Sequence, residues 1–354
     1  VTAAERRLRC PVCADEFVWP DEPVVWIFDE DQGRYVQFDI SAKPPEKRAE
    51  LARFGYQRCP NPTGDASEHF LPATYGDHGD PLVIGLVGGP TSGKTHLLTA
   101  MIRQAHLNGL SAYGLTVAAM DFRRHSWFRR QYIRPLEEGT TLWGTGAGVV
   151  EAADILLLSG PAGKRPLVFF DVAGEDLEKT SPLANRFMMA ATGVIFVHAA
   201  EDPLETGQRS SASENQTFEL ATARLAHGRV PAAIAVTKAD RLRHTAPADR
   251  WMYRGDEHEL DARRIRAESQ DVYAYLHQAG AGASLRPFDE FPRCTLHFVS
   301  ASGGDAVRVN PADVRSRKHF ARGFQPRRVL EPLVSILAMS GMITGAEAGK
   351  VGLP

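Results

Sequence analysis

Leu82-Val83-Ile84-Gly85-Leu86-Val87-Gly88-Gly89-Pro90-Thr91-Ser92-Gly93-Lys94-Thr95 is an apolar run that passes straight into a glycine-rich turn. Its first six residues lack polar alternation, which predicts a strand buried on both faces. The last eight match G-x-x-x-x-G-K-[ST], and helix-forming residues follow them. The residue types suit one chemistry. Glycines let backbone N–H groups converge on a phosphate, and a helix N-terminus adds partial positive charge. Lys94 reaches the β- and γ-phosphates, and the Thr95 hydroxyl ligates Mg²⁺. A chance glycine-rich turn would lack the strand before it and the helix after it.

Further apolar runs at 115–119, 155–158, 167–170, 193–197, 232–236 and 295–299 predict six more strands, mostly buried on both faces. Helical candidates lie between them near 94–107, 121–138, 182–191, 213–227, 257–279 and 326–343. Strands alternating with helices predict an α/β fold, a mostly parallel sheet with helices on both faces. The 354 residues allow roughly two domains. With 41 Lys+Arg against 43 Asp+Glu the net charge is −2, so net charge gives no support to nucleic-acid binding. No apolar run approaches the roughly 18–20 residues of a membrane span. The sequence opens at Val1 without a basic-then-apolar leader and reads as trimmed there.

Three later patterns bear on the choice of nucleotide. Phe169-Phe170-Asp171-Val172-Ala173-Gly174-Glu175 closes a strand with D-x-x-G, which positions Asp171 to hold Mg²⁺ through water and the Gly174 N–H to meet a γ-phosphate. Thr237-Lys238-Ala239-Asp240 follows another strand as [NT]-K-x-D. A carboxylate at Asp240 accepts from both N1 and the N2 amine of guanine, a donor pair that adenine lacks. Ser300-Ala301-Ser302 ends the last strand, where a backbone N–H faces guanine O6. All of these fall at C-terminal ends of apolar strands, where open α/β sheets bind ligands.

This ordered set resembles the TRAFAC-class GTPases over about 82–345. With the Cys-x-x-Cys segment near the N-terminus it looks more narrowly like the bacterial double-GTPase type, found in signalling or conflict systems. The resemblance implies a P-loop NTPase (Ras-like) fold and GTP or GDP with Mg²⁺. It also implies phosphate contacts along Gly88, Gly89, Thr91, Ser92, Gly93, Lys94 and Thr95, metal at Thr95 and Asp171, and γ-phosphate sensing at Gly174. Base contacts fall to Thr237, Lys238, Asp240, Ser300 and Ala301. Three departures stand out. Thr237 replaces the commoner Asn, weakening a tie to the P-loop; Pro90 removes an N–H beside the γ-phosphate; and Glu175 stands where many relatives carry a water-positioning Gln. Of the threonines before Asp171, Thr145 is the expected first-switch residue, with Thr141 and Thr140 behind it. Residues 121–136 interleave five arginines with aromatic and aliphatic residues. A packed amphipathic helix is the first reading, ahead of a partner surface or a source of an arginine finger.

Residues 1–80 form an expected small, loop-rich, zinc-ribbon-like module with a strand near 24–28. The remainder, 81–354, is the expected nucleotide-binding domain, with insertions near 111–150, 202–230 and 241–290. Cys10 and Cys13 have metal-knuckle spacing, and Cys59 opens a second half. His69 is the nearest fourth ligand for structural Zn²⁺, with His78, Asp65 and Glu68 as alternatives. Four cysteines in so long a chain are too few for a disulfide framework, which favours a reducing, cytoplasmic location. Cys294 reads as core, and His198 and His297 as packed or hydrogen-bonded. The combined expectation is a slow GTP-hydrolysing switch with Lys94, Glu175 and Thr145 as catalytic candidates and a protein effector or activator as partner. The rivals are a nucleotide-binding scaffold that recruits partners without turnover and an ATP-dependent P-loop enzyme, which Asp240 disfavours.

Overall fold

The structure is a computed structural model that describes residues 7–20, 24–142, 152–173, 186, 188–200, 212–225, 230–254, 258–308 and 317–353. The N-terminal part is richer in strands than its prolines imply. β1 (Arg7–Arg9) and β2 (Glu16–Val18) form a hairpin. β3 (Val24–Asp29), β4 (Arg34–Asp39), β5 (Tyr56–Arg58) and β6 (Phe70–Pro72) form a four-stranded antiparallel sheet in the order β4-β3-β5-β6. The helix Pro45–Phe54 connects β4 to β5 and buries none of its residues. The expected loop-rich module is therefore corrected: four of these six strands have only three residues, too short to show a period of two.

The seven apolar runs of the sequence all become strands of one sheet: β7 (Leu82–Gly88), β8 (Thr116–Ala119), β9 (Ala152–Gly160), β10 (Gly163–Ala173), β11 (Gly193–Ala199), β12 (Ala232–Thr237) and β13 (Cys294–Phe298). Their order is β13-β12-β11-β7-β10-β9-β8. The first five are parallel, whereas β9 and β8 run antiparallel to their neighbours. β8 is the edge strand and is not buried on both faces as expected; its residues are exposed or half-buried in alternation. The hairpin β14 (Ala306–Val307) and β15 (His319–Phe320) lies apart from this sheet.

Alternate residues of each strand feed two cores. Leu82, Ile84 and Leu86 pack with Leu97, Met101, Leu333 and Ile336 from the helices Lys94–His106 and Glu331–Met339. Val83, Val87 and Phe170 share the other core with Phe218, Val272 and Leu285 from the helices Ala212–Leu225, Ala262–Gln278 and Gly282–Glu290. Leu8, Phe17, Leu71 and Tyr75 of the N-terminal part belong to this second core. β7 lies at the switch point of the topology, since the next parallel strands along the chain, β10 and β11, pair with its opposite edges. The crevice outside the C-terminal end of such a strand is where α/β sheets bind ligands.

Candidate functional site

The glycine-rich turn leaves β7 at Gly88 and enters the helix Lys94–His106. Gly93 adopts φ +85°, a left-handed conformation suited to glycine. A Cβ on Gly88 would lie 2.6 Å from the Val197 carbonyl oxygen, so the neighbouring strand can approach this closely only without a side chain. Lys94 is buried and its Nζ lies 3.2 Å from an Asp171 carboxylate oxygen and 3.4 Å from the Gly88 carbonyl. The Thr95 hydroxyl donates to the other Asp171 oxygen at 2.9 Å. The register that pairs Ala173 with Gly88 sets Asp171 beside Leu86, which brings its carboxylate to the start of the helix.

The Thr237 hydroxyl donates to the Ser92 carbonyl, with the His198 carbonyl 3.1 Å away. Threonine in place of asparagine thus keeps one hydrogen bond to the glycine-rich turn. Beyond it, Lys238 takes φ +55° and starts the short helical turn Ala239–Leu242. Asp240, only 6% exposed, accepts the Ser300 hydroxyl. The Gly303 N–H in turn donates to the Ser300 oxygen at 2.9 Å. Backbone bonds from Ala239 to Val299 and between Ser300 and Arg327 fasten the turn to the Ser300-Ala301-Ser302 loop. The structure therefore brings Gly88, Gly89, Thr91, Ser92, Gly93, Lys94, Thr95, Asp171, Thr237, Lys238, Asp240, Ser300 and Ala301 to one edge of the sheet. Thr145, Gly174 and Glu175 lie outside the described residues.

His96 was not singled out by any motif, yet it adjoins the site. Its Nε2 accepts the Leu142 N–H at 3.1 Å, holding the end of the 138–142 segment to the helix that starts at Lys94. Burial and the nearby Lys238 charge depress its pKa to about 4, so near neutrality it is the neutral acceptor this bond needs. The one available signal was its position directly after Lys94-Thr95.

In the N-terminal part Cys10, Cys13, Cys59 and His69 are all buried, with one ligand atom from each within 4.8 Å of the others. The Val12 and Cys13 N–H groups point at the Cys10 sulfur, and the Asn61 N–H at Cys59. The His69 Nδ1 lies 2.7 Å from the Ser67 carbonyl, an arrangement that fixes the tautomer with a lone pair on Nε2, 3.2 Å from the Cys10 sulfur. Three sulfurs and an imidazole around one point suit a closed tetrahedral Zn²⁺ site. Of the alternatives, Asp65 pairs with Arg186 and Glu68 with Arg58.

The arginine-rich segment packs as a helix, Phe122–Phe128, a π turn Arg129–Ile133 and Arg134–Glu137, with Phe128, Ile133 and Leu136 buried. Pro135 lacks the N–H that would continue the ladder, which accounts for the π turn. The Arg123 guanidinium lies 3.4 Å from the centre of the Phe28 ring, joining this helix to the N-terminal sheet. His198 meets Ser284, His297 meets Glu268, Thr295 and Ser335, and Cys294 is buried.

Among known proteins, no family model matches the chain and no curated protein matches it. A solved structure, the crystal structure of a bacterial selenocysteine-specific elongation factor, EF-Sec, aligns with 62% of this chain at 16% identity and a TM-score of 0.28. The chain spans only 26% of that structure's length. The functional reading accordingly rests on the geometry above. Among the described residues, no helix is long and apolar enough to cross a membrane.

Proposed function

We propose that this chain binds and hydrolyses GTP as a slow, Mg²⁺-dependent switch of the TRAFAC class, of the double-GTPase type, acting on a protein effector. The observation that supports this best is the meeting of Lys94, Thr95 and Asp171 at the switch-point strand, tied through Thr237 to the turn that carries Asp240. A phosphate fits the turn. The Ser92 hydroxyl oxygen is buried with no hydrogen-bond partner among the described residues, as expected of a group awaiting a ligand. Thr95 and Asp171 offer adjacent hard oxygen donors for Mg²⁺, which when bound would neutralise phosphate charge.

In this reading Lys94 exchanges its pairing with Asp171 for the phosphate oxygens and stabilises charge there in both ground and transition states. Asp240, oriented by Ser300, reads the guanine donors. Glu175 orients the attacking water, and Thr145 closes over the γ-phosphate. The Cys₃His cluster holds a structural zinc that folds residues 1–80 as a unit beside the domain of 81–354. The test is single-turnover hydrolysis of pure GTP and pure ATP with Mg²⁺. GTP is turned over at about 10⁻⁴–10⁻² per second, the range between GTPases without and with a built-in arginine. Lys94→Ala removes binding and turnover together, and Glu175→Ala spares binding and lowers turnover. Tight GTP binding without hydrolysis would identify the scaffold instead, and preference for ATP would overturn the role of Asp240.

A further inference from the structure

A second cluster of metal-type ligands lies away from both sites already described. His106 ends the helix that Lys94 begins, His125 lies in the helix Phe122–Phe128, and Asp154 is on β9. One ligand atom from each falls within 4.8 Å of the other two. Three separate elements thus send two imidazoles and a carboxylate to one point.

Asp154 is completely buried, and a carboxylate so placed needs a positive partner. His125 supplies a hydrogen bond, Nδ1 to Oδ2 at 2.6 Å. The Ile155 N–H donates to the other oxygen at 2.9 Å. His106 stands beside them with its ring centre 4.1 Å from that of His125. Its Nε2 is buried and has no hydrogen-bond partner among the described residues. A buried ring nitrogen left unsatisfied is costly, and a cation at the centre of the three groups would satisfy it together with Asp154. The surrounding charge is mixed, since Asp121 adds a negative group near Asp154 and Arg129 a positive one near His106. Arg124, 3.9 Å from Asp121, offsets that second carboxylate, so Asp154 is the charge that faces the two imidazoles.

We propose that His106, His125 and Asp154 bind one divalent ion of the zinc class, distinct from the Cys₃His site. Two imidazoles and a carboxylate are borderline ligands that suit Zn²⁺ or Co²⁺ over Mg²⁺ or Ca²⁺, and three protein ligands leave a fourth position for water. Donor atoms around a tetrahedral zinc lie about 3.3 Å apart, so small side-chain rotations from the present arrangement close the site. The ion takes the place of the His125–Asp154 hydrogen bond, and the Nδ1 proton passes by way of solvent to Nε2 of the same ring, which stays a neutral ligand. His106 lies at the end of a 13-residue helix, roughly 18 Å along it from Lys94. The ion therefore takes no part in phosphate chemistry. It clamps the far end of that helix to the arginine-rich helix and to the antiparallel margin of the sheet.

The test is a titration of the metal-stripped full-length protein with Co²⁺, followed by its absorption spectrum. Two equivalents bind. One carries the thiolate charge-transfer band of the cysteine cluster, and the other carries d–d bands alone. His106→Gln and Asp154→Asn each weaken the thiolate-free equivalent at least tenfold and leave the thiolate band intact. A Cys10→Ser/Cys13→Ser protein keeps the thiolate-free equivalent. Saturation of the wild-type protein at one thiolate-bearing equivalent would overturn the proposal without any variant having to fold. Persistence of the second equivalent in both His106→Gln and Asp154→Asn would overturn it as well. Nucleotide is absent throughout, so the outcome does not depend on whether the chain hydrolyses GTP.

Discussion

Asp240 is held by a hydroxyl rather than by a charge, since Ser300 bonds one carboxylate oxygen while Arg241 turns away to Asp305. A carboxylate so oriented and buried discriminates strongly between purines, because the wrong base leaves it without donors. Asp240→Asn is expected to weaken GDP and GTP binding by about 2–4 kcal/mol, read by fluorescent-nucleotide titration. Unchanged GDP affinity would remove Asp240 from the base site. These residues were legible in the sequence because each motif fixes types at fixed spacing. His96 was not, because one histidine after a motif carries no pattern of its own. Its depressed pKa has a consequence for stability. The folded state holds His96 neutral down to about 4 while an unfolded chain protonates it near 6.5. The unfolded state binds more protons between those values, so stability falls as pH drops through that window. His96→Gln keeps an acceptor for Leu142 and does not titrate. Thermal unfolding between pH 7 and pH 4.5 should show wild type losing stability relative to the variant; parallel curves would mean His96 is not the group responsible.

Among the elements, all seven strands of the main sheet were legible as apolar runs, although the edge strand β8 is exposed or half-buried along its length, and five of the seven are parallel neighbours. The reversal at the β9–β10 hairpin was missed. Gly160-Pro161-Ala162-Gly163, with Gly163 at φ +105°, was its signal, hidden because β10 is apolar enough to read as one more parallel strand. The separate helix Gly282–Glu290 was likewise absorbed into a loop by its glycines and Pro287. Nor does a sequence pattern disclose the buried network that backs the Ser300 loop. Glu268 of the helix Ala262–Gln278 lies 2.9 Å from both His297 and Arg328 and accepts the Phe298 N–H at 3.1 Å. Burial pushes its pKa up, but the neighbouring His297 and Arg328 and these bonds prevail and hold it below the ordinary value. Glu268→Ala would remove the carboxylate that lies beside the buried Arg328, itself 1% exposed. A loss of about 3–5 kcal/mol in denaturant unfolding is expected, against a smaller loss for Glu268→Gln, which keeps the shape. A loss below about 1 kcal/mol for the alanine variant would show that the network does not hold the loop.

For the molecule as a whole, the N-terminal part has its own strand pairing and a core shared with the larger sheet. Its hairpin and four-stranded sheet are closed on themselves, and three of the four cysteines lie within it. Yet Leu8, Phe17 and Tyr75 share a core with Val83 and Phe170, and Asp15 pairs with Arg186 at 2.8 Å while the Tyr56 hydroxyl donates to Asp121 at 2.9 Å. Small strands of three residues bury little area, so an ion held by Cys10, Cys13, Cys59 and His69 would supply part of their folding energy. Without it burial drives the Cys10 thiol up, whereas hydrogen bonds from Cys10 and Cys13 hold Cys59 down at about 4. A cation among these sulfurs would favour the Cys10 thiolate that burial opposes. Metal analysis should find one zinc that is lost in Cys13→Ser, separately from any ion lost in His106→Gln. In hydrogen exchange, strong chelation should strip protection from Arg7–Arg9, Glu16–Val18 and Tyr56–Arg58 while β7 and β12 stay protected. If β7 loses protection at the same chelator concentration as Glu16–Val18, the shared core dominates and residues 1–80 fold only as part of the larger body.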